Sequence, residues 1–295
     1  MHVTEATGNI FTSYLSHIIF YGLLFIIISI IAWVKGYFKI PLPVVDIPIK
    51  FKHVLISFAI YIGITFILSP FIVNFLLFFS FFSSVTLEKK QVLLSLVVNS
   101  FVISLIFGGL LTYFFSFSDL LKKGIIKISD SSFLKDILMG IFSWVIAFPL
   151  IIVISKTLEM LSVILFKMEK LPEQLAITYI KKTMSSPALF GIVLISICIF
   201  APIIEEFLFR GILQSWLKKK MSRNYAIFFA SIFFAFFHYS GSQGISNITI
   251  ILSLFILSLF LGFIYERQGS LLASISLHAT FNTFSVLNLI FIKDI

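Results

Sequence analysis

Between Leu189 and Leu217 the chain is apolar except at a few positions, and three of those, Glu205, Glu206 and Arg210, are charged. At about 1.5 Å per helical residue this run is long enough to cross a bilayer. A charged side chain at mid-membrane costs something like ~2.5–3.5 kcal/mol on insertion scales. Three within six residues must therefore face a protein interior or a water-filled cavity, and must have partners there. Helical spacing sorts them. Glu206 and Arg210 are four apart on one face and are expected to form a charge-assisted pair. Glu205 is rotated by about 100° and points elsewhere. One carboxylate thus reads as structural, and the other is left free, either for chemistry or to be satisfied by hydrogen bonds. Pro202 lacks a backbone donor and is expected to kink the helix just before the charges.

The rest of the chain fits a membrane setting. Of 295 residues 59% are hydrophobic and only 12% charged, with a mean hydropathy of +1.11. Soluble domains carry about 25% charged residues. The reading is an all-α, polytopic integral membrane protein. The net charge of +9 does not point to nucleic acid, because the basic residues cluster between apolar runs, as membrane topology requires. The single cysteine, Cys198, rules out a disulfide within the chain and any cysteine metal cluster. The opening MHVTEATGNI has no Lys or Arg, so the first apolar run is expected to be a signal-anchor rather than a cleaved signal peptide.

About eight spans are expected: roughly 9–33, 53–82, 91–115, 136–155, 187–217, 224–239, 248–265 and 270–292. Pro70 should kink the second. Residues 156–182 read as an extension of the fourth span followed by an amphipathic interfacial piece. Residues 1–182 would form an N-terminal membrane region and 183–295 the catalytic core. Lys and Arg are more frequent in the loops that are internal when both termini lie outside, and that topology is expected. The many Phe, Ile and Lys residues suggest a bacterial source and hence a cytoplasmic (inner) membrane.

Two late spans carry the other unusual residues. FFAFFHYS places Phe234 one turn before His238, and SLHATFN places His278 and Asn282 on one face. Counted from the basic ends of their helices, Glu205, His238, His278 and Asn282 lie about 18, 21, 12 and 18 Å into a core about 30 Å thick. Four polar residues on three helices thus share one slab. A carboxylate or neutral imidazole can take a proton from water. An imidazole with a carboxamide can donate to the oxyanion formed when water attacks a carbonyl. Two histidines and a glutamate also suit Zn²⁺ with an open position, although no HExxH spacing is present. His2, His17 and His53 are read as terminal, polar-filler and interfacial residues.

EEFLFRG, FAFFH and HATFN, in that order, resemble the CAAX prenyl protease and bacteriocin-processing (CPBP, or Abi) family of intramembrane proteases, whose motifs are EExxxR, FxxxH and HxxxN/B. The resemblance covers roughly residues 185–290. It implies that Glu205 and His238 activate water and that His278 and Asn282 form the oxyanion hole, with Glu206, Arg210 and Phe234 as structural support. It also implies an intramembrane endopeptidase acting on a membrane-associated peptide or protein. No cofactor is favoured; if a metal is used, Glu205, His238 and His278 would be its Zn²⁺ ligands. Two other classes fit less well. A non-catalytic scaffold or immunity protein of the same family would not need all four polar residues. An ion-coupled transporter would be expected to show an inverted repeat, and none is evident. Substrate identity and oligomeric state are not legible.

Overall fold

The computed structural model describes residues 2–40, 48–78, 133–166 and 175–291, with some helical positions between 102 and 113. Among these every regular element is helical. α1 is His2–Val34. α2 runs through Phe51–Ile62, Gly63–Leu68 and Ser69–Phe78, α3 is Phe133–Phe166, and α4 is Leu175–Thr183. α5 spans Pro187–Leu217. α6 is Arg223–Phe236, α7 Ser246–Gln268 and α8 Leu271–Phe291. Five of these helices are long and apolar enough to cross a membrane, those at Phe11–Val34, Phe51–Phe75, Phe133–Phe166, Pro187–Leu217 and Ser246–Gln268. α6 is apolar but shorter, with 14 residues, and α8 has 21. The expected third span falls largely outside the described residues. α3 continues well past the expected end of the fourth span, so the extension read from 156 onward is real helix.

The bundle closes where small residues let helices approach. On α3, a Cβ at Gly140 would lie 2.5 Å from the Ala273 carbonyl oxygen of α8 and 2.6 Å from the Ser276 Cβ. Only glycine permits that crossing, the usual means of close helix contact in membranes. Ser276 adds a hydrogen bond to the Ile137 carbonyl at 2.9 Å. α7 stops at Gly269, whose φ of 61° is left-handed and suits glycine, and the chain turns directly into α8. At this end Glu266 receives Lys218 at 2.8 Å and Arg223 at 3.5 Å, tying α5, α6 and α7 together. The N-terminal region is clasped to the same end. Tyr37 donates to the Ser143 hydroxyl at 2.7 Å, and Arg267 donates to the Tyr37 carbonyl while lying over its ring. Burial pushes the Tyr37 phenol up to about 12, so it stays a proton donor.

Both prolines expected to kink a helix are preceded by a widened turn. Ahead of Pro70 the helix widens to π geometry over Gly63–Leu68, and ahead of Pro202 over Ser196–Phe200. In each case the residue before the proline donates five residues back, Ser69 to the Ile64 carbonyl and Ala201 to the Ser196 carbonyl. Widening relieves the clash of the proline ring with the preceding turn. α5 has a second π segment, Phe207–Gln214. Glu205 and Glu206 therefore sit in one short α-helical piece, Ala201–Glu206, between two widened turns.

Candidate active site

The Glu206–Arg210 pair forms as helical spacing leads one to expect. Arg210 Nε lies 3.2 Å from Glu206 Oε2, and both side chains are buried. The arginine is committed elsewhere too. It donates to the Ser258 hydroxyl at 2.9 Å and the Ser258 carbonyl at 3.2 Å on α7, and its guanidinium lies 4.7 Å from the Phe234 ring centre. Phe234 also packs its ring against His238 at 4.8 Å and His278 at 5.8 Å. One phenyl ring thus spaces the arginine and both imidazoles. Ser258 gives no sequence signal, being a serine in an apolar helix like several others.

Glu206 does more than pair with arginine. His278 Nδ1 donates to Glu206 Oε1 at 2.9 Å across 72 positions of sequence. His238 Nδ1 donates to the Phe234 carbonyl at 2.8 Å, a carbonyl in the last turn of α6. Because a carbonyl only accepts, the proton of a neutral His238 is on Nδ1, and its Nε2 presents a lone pair. The two Nε2 atoms point to the same place. They lie 3.6 Å and 3.9 Å from Glu205 Oε2, a buried oxygen that accepts no hydrogen bond among the described residues. Three groups from α5, the end of α6 and α8 therefore face one small volume.

Asn282 is placed differently. The i, i+4 spacing leads one to expect it to aim with His278 at a point across the cavity from Glu205. The structure turns His278 toward Glu205 and Glu206, while Asn282 Nδ2 donates to the Ile197 carbonyl on α5 at 2.9 Å. Of the other histidines, His53 accepts from the Lys50 amide at the start of α2, and His17 bonds the Ser13 carbonyl one turn away on the same helix.

α2 supplies a wall. Phe58 packs on Phe209 and Phe237, with ring centres 5.3 and 6.0 Å apart, and Tyr61 packs on Phe237 at 5.1 Å. These partners adjoin Arg210 and His238 in sequence. The early part of the chain, which carries no motif of its own, thus helps to enclose the late one.

Donors around one tetrahedral zinc ion stand about 3.3 Å apart at bond lengths of 2.0–2.1 Å. Glu205 Oε2 is farther than that from both imidazole nitrogens. No set of three His, Cys, Asp or Glu among the described residues has the spacing to hold a metal ion.

Residues 187–284 match a family model described as type II CAAX prenyl endopeptidase Rce1-like. The part of the chain that carries the site is thus similar to that family. The match runs from the first residue of α5 to just beyond Asn282 and covers about a third of the chain. It thus takes in Glu205, Glu206, Arg210, Phe234, His238, His278 and Asn282, and leaves out the α2 wall and the α3 crossing. No curated protein and no solved structure matches the chain. The Rce1-like match is to a protease family, in agreement with the resemblance drawn from the three motifs.

Proposed function

We propose that this protein is an intramembrane endopeptidase that hydrolyses a peptide bond of a membrane-associated substrate with a water activated by Glu205 and His238. The observation that carries this reading is the convergence of two imidazole Nε2 atoms on Glu205 Oε2, which accepts no hydrogen bond among the described residues. Glu205 Oε2 and the bare Nε2 of His238 are two acceptors facing one volume, and they repel one another unless a donor lies between them. A water molecule, with two protons to give, satisfies such a pair. Glu205 would take one of its protons as the oxygen attacks the carbonyl carbon, with His238 accepting from the other. The C–N bond then breaks, and the proton held by Glu205 passes to the leaving amine.

The two histidines differ in their second partner, and this supports different roles. His238 is fixed by a neutral carbonyl and keeps a bare Nε2, as a base requires. His278 is fixed by the Glu206 carboxylate, which can balance a positive ring, as in other carboxylate–histidine pairs. It suits donation to the oxyanion, with Asn282 as second donor. Arg210 and Phe234 hold this arrangement rather than react. In this reading the chemistry is metal-free, and the protein lies in the inner membrane of a bacterium with both termini outside.

Substrate trapping tests the assignment. In native membranes, Glu205→Gln should capture uncleaved membrane peptides that pass through the wild type as products. Equal cleavage by both proteins would refute the role of Glu205.

A further inference from the structure

Where the widened turn of α5 meets Pro202, the helix ladder has a gap. Ala201 donates to the Ser196 carbonyl, five residues back. In that register the next carbonyl, Ile197, would receive the N–H of residue 202. Residue 202 is proline and has none. A carbonyl left unpaired inside a membrane bundle costs free energy unless a neighbouring group supplies a donor. Here the donor comes from α8, as the Asn282 amide at 2.9 Å. The gap lies three residues before Glu205, and its filler lies four residues after His278.

We propose that Pro202 is a positioning residue for Asn282. By leaving the Ile197 carbonyl open, it docks the asparagine amide through one N–H and orients the second for an oxygen in the site. A carboxamide nitrogen has two donors. Binding one to a main-chain carbonyl restrains rotation of the amide plane, so the other is presented at a set angle. The same bond ties the segment carrying Glu205 to the helix carrying His278. The catalytic consequence rests on the function proposed above, whereas the anchor itself does not.

A double-mutant cycle on the full-length protein in detergent separates the two. In the wild-type background, Asn282→Ala should lower the thermal midpoint by several degrees, since it strands the Ile197 carbonyl. Asn282→Leu, close in size but without a donor, should do the same. With Pro202→Ala the restored N–H takes the carbonyl, and Asn282→Ala should then move the midpoint by about a degree or less. Pro202→Ser restores the same N–H and replaces Pro202→Ala if that variant does not accumulate. An equal midpoint shift in both backgrounds, or no shift with Asn282→Leu, overturns the anchor.

Turnover of a quenched peptide ending in a CAAX sequence gives the catalytic arm. Asn282→Ala should reduce kcat by about 10²–10³-fold, and Pro202→Ala by about tenfold with KM within twofold. The Asn282→Ala loss should shrink in the Pro202→Ala background. Equal losses in both backgrounds overturn the positioning role. Coupled midpoints with no hydrolysis by the wild type would support the anchor and count against the peptidase reading instead.

Discussion

Removing the Arg210 side chain should be the most damaging single change near the site that leaves the reacting groups in place. Arg210 is fully buried. Its guanidinium compensates Glu206 at 3.2 Å, bonds Ser258 twice and faces the Phe234 ring. Arg210→Ala leaves Glu206 charged, desolvated and, among the described residues, held by His278 alone, and opens a cavity beside Phe234. Breaking a buried pair by deleting one member costs about 3–5 kcal/mol. For a chain of this size that corresponds to a fall of roughly 6–20 °C in thermal midpoint. Arg210→Lys keeps the charge but loses the planar fork that reaches Glu206 and Ser258 together, and should recover only part of the loss. Lys218→Ala provides the comparison. Its ion pair with Glu266 is partly exposed, and Arg223 and Gln214 remain on that carboxylate, so about 0–1 kcal/mol is expected. The assay is thermal unfolding of purified full-length protein in detergent. If Arg210→Ala melts within a degree or two of Lys218→Ala, the buried pair does not hold the bundle as described.

Two further outcomes follow from the packing and the donor set. Gly140→Ala should destabilise by about 1–3 kcal/mol, because the added methyl meets the Ala273 carbonyl and Ser276; Gly191→Ala, in open space on α5, should be neutral or stabilising by up to ~1 kcal/mol. Equal midpoints for the two would contradict the close α3–α8 crossing. Treatment of purified protein with a chelator should leave peptide hydrolysis intact; stoichiometric zinc, with activity lost on chelation and restored by metal, would make Glu205, His238 and His278 ligands instead.

Local features were legible in the sequence, and contacts between distant helices were not. The Glu206–Arg210 pair could be read because two opposite charges four apart in an apolar run have nowhere else to go. The break between the expected spans 248–265 and 270–292 contains Gly269, which does cap α7. Pro202 marks a kink in α5, but α-helical spacing does not carry the π turns on either side of the carboxylates, and these were not legible. Nor was the Glu206–His278 bond, since nothing in either segment encodes a partner 72 residues away. It changes the part played by Glu206, which reads as purely architectural from the sequence and in the structure also holds an imidazole of the site. The Asn282 amide shows the same limit. Its residue type suggested a donor, but its acceptor is a main-chain carbonyl exposed by a proline on another helix.

The most direct test of the central claim is peptide hydrolysis by purified protein in water enriched in ¹⁸O, followed by mass spectrometry of the product's new carboxyl group. A water activated by Glu205 and His238 should place one ¹⁸O there during a single wild-type turnover. Glu205→Gln and His238→Ala, folded with midpoints near the wild type, should yield no product on the same timescale. Label incorporated at the wild-type rate by Glu205→Gln would contradict the account, because the bond would then be broken without the carboxylate on which the site converges.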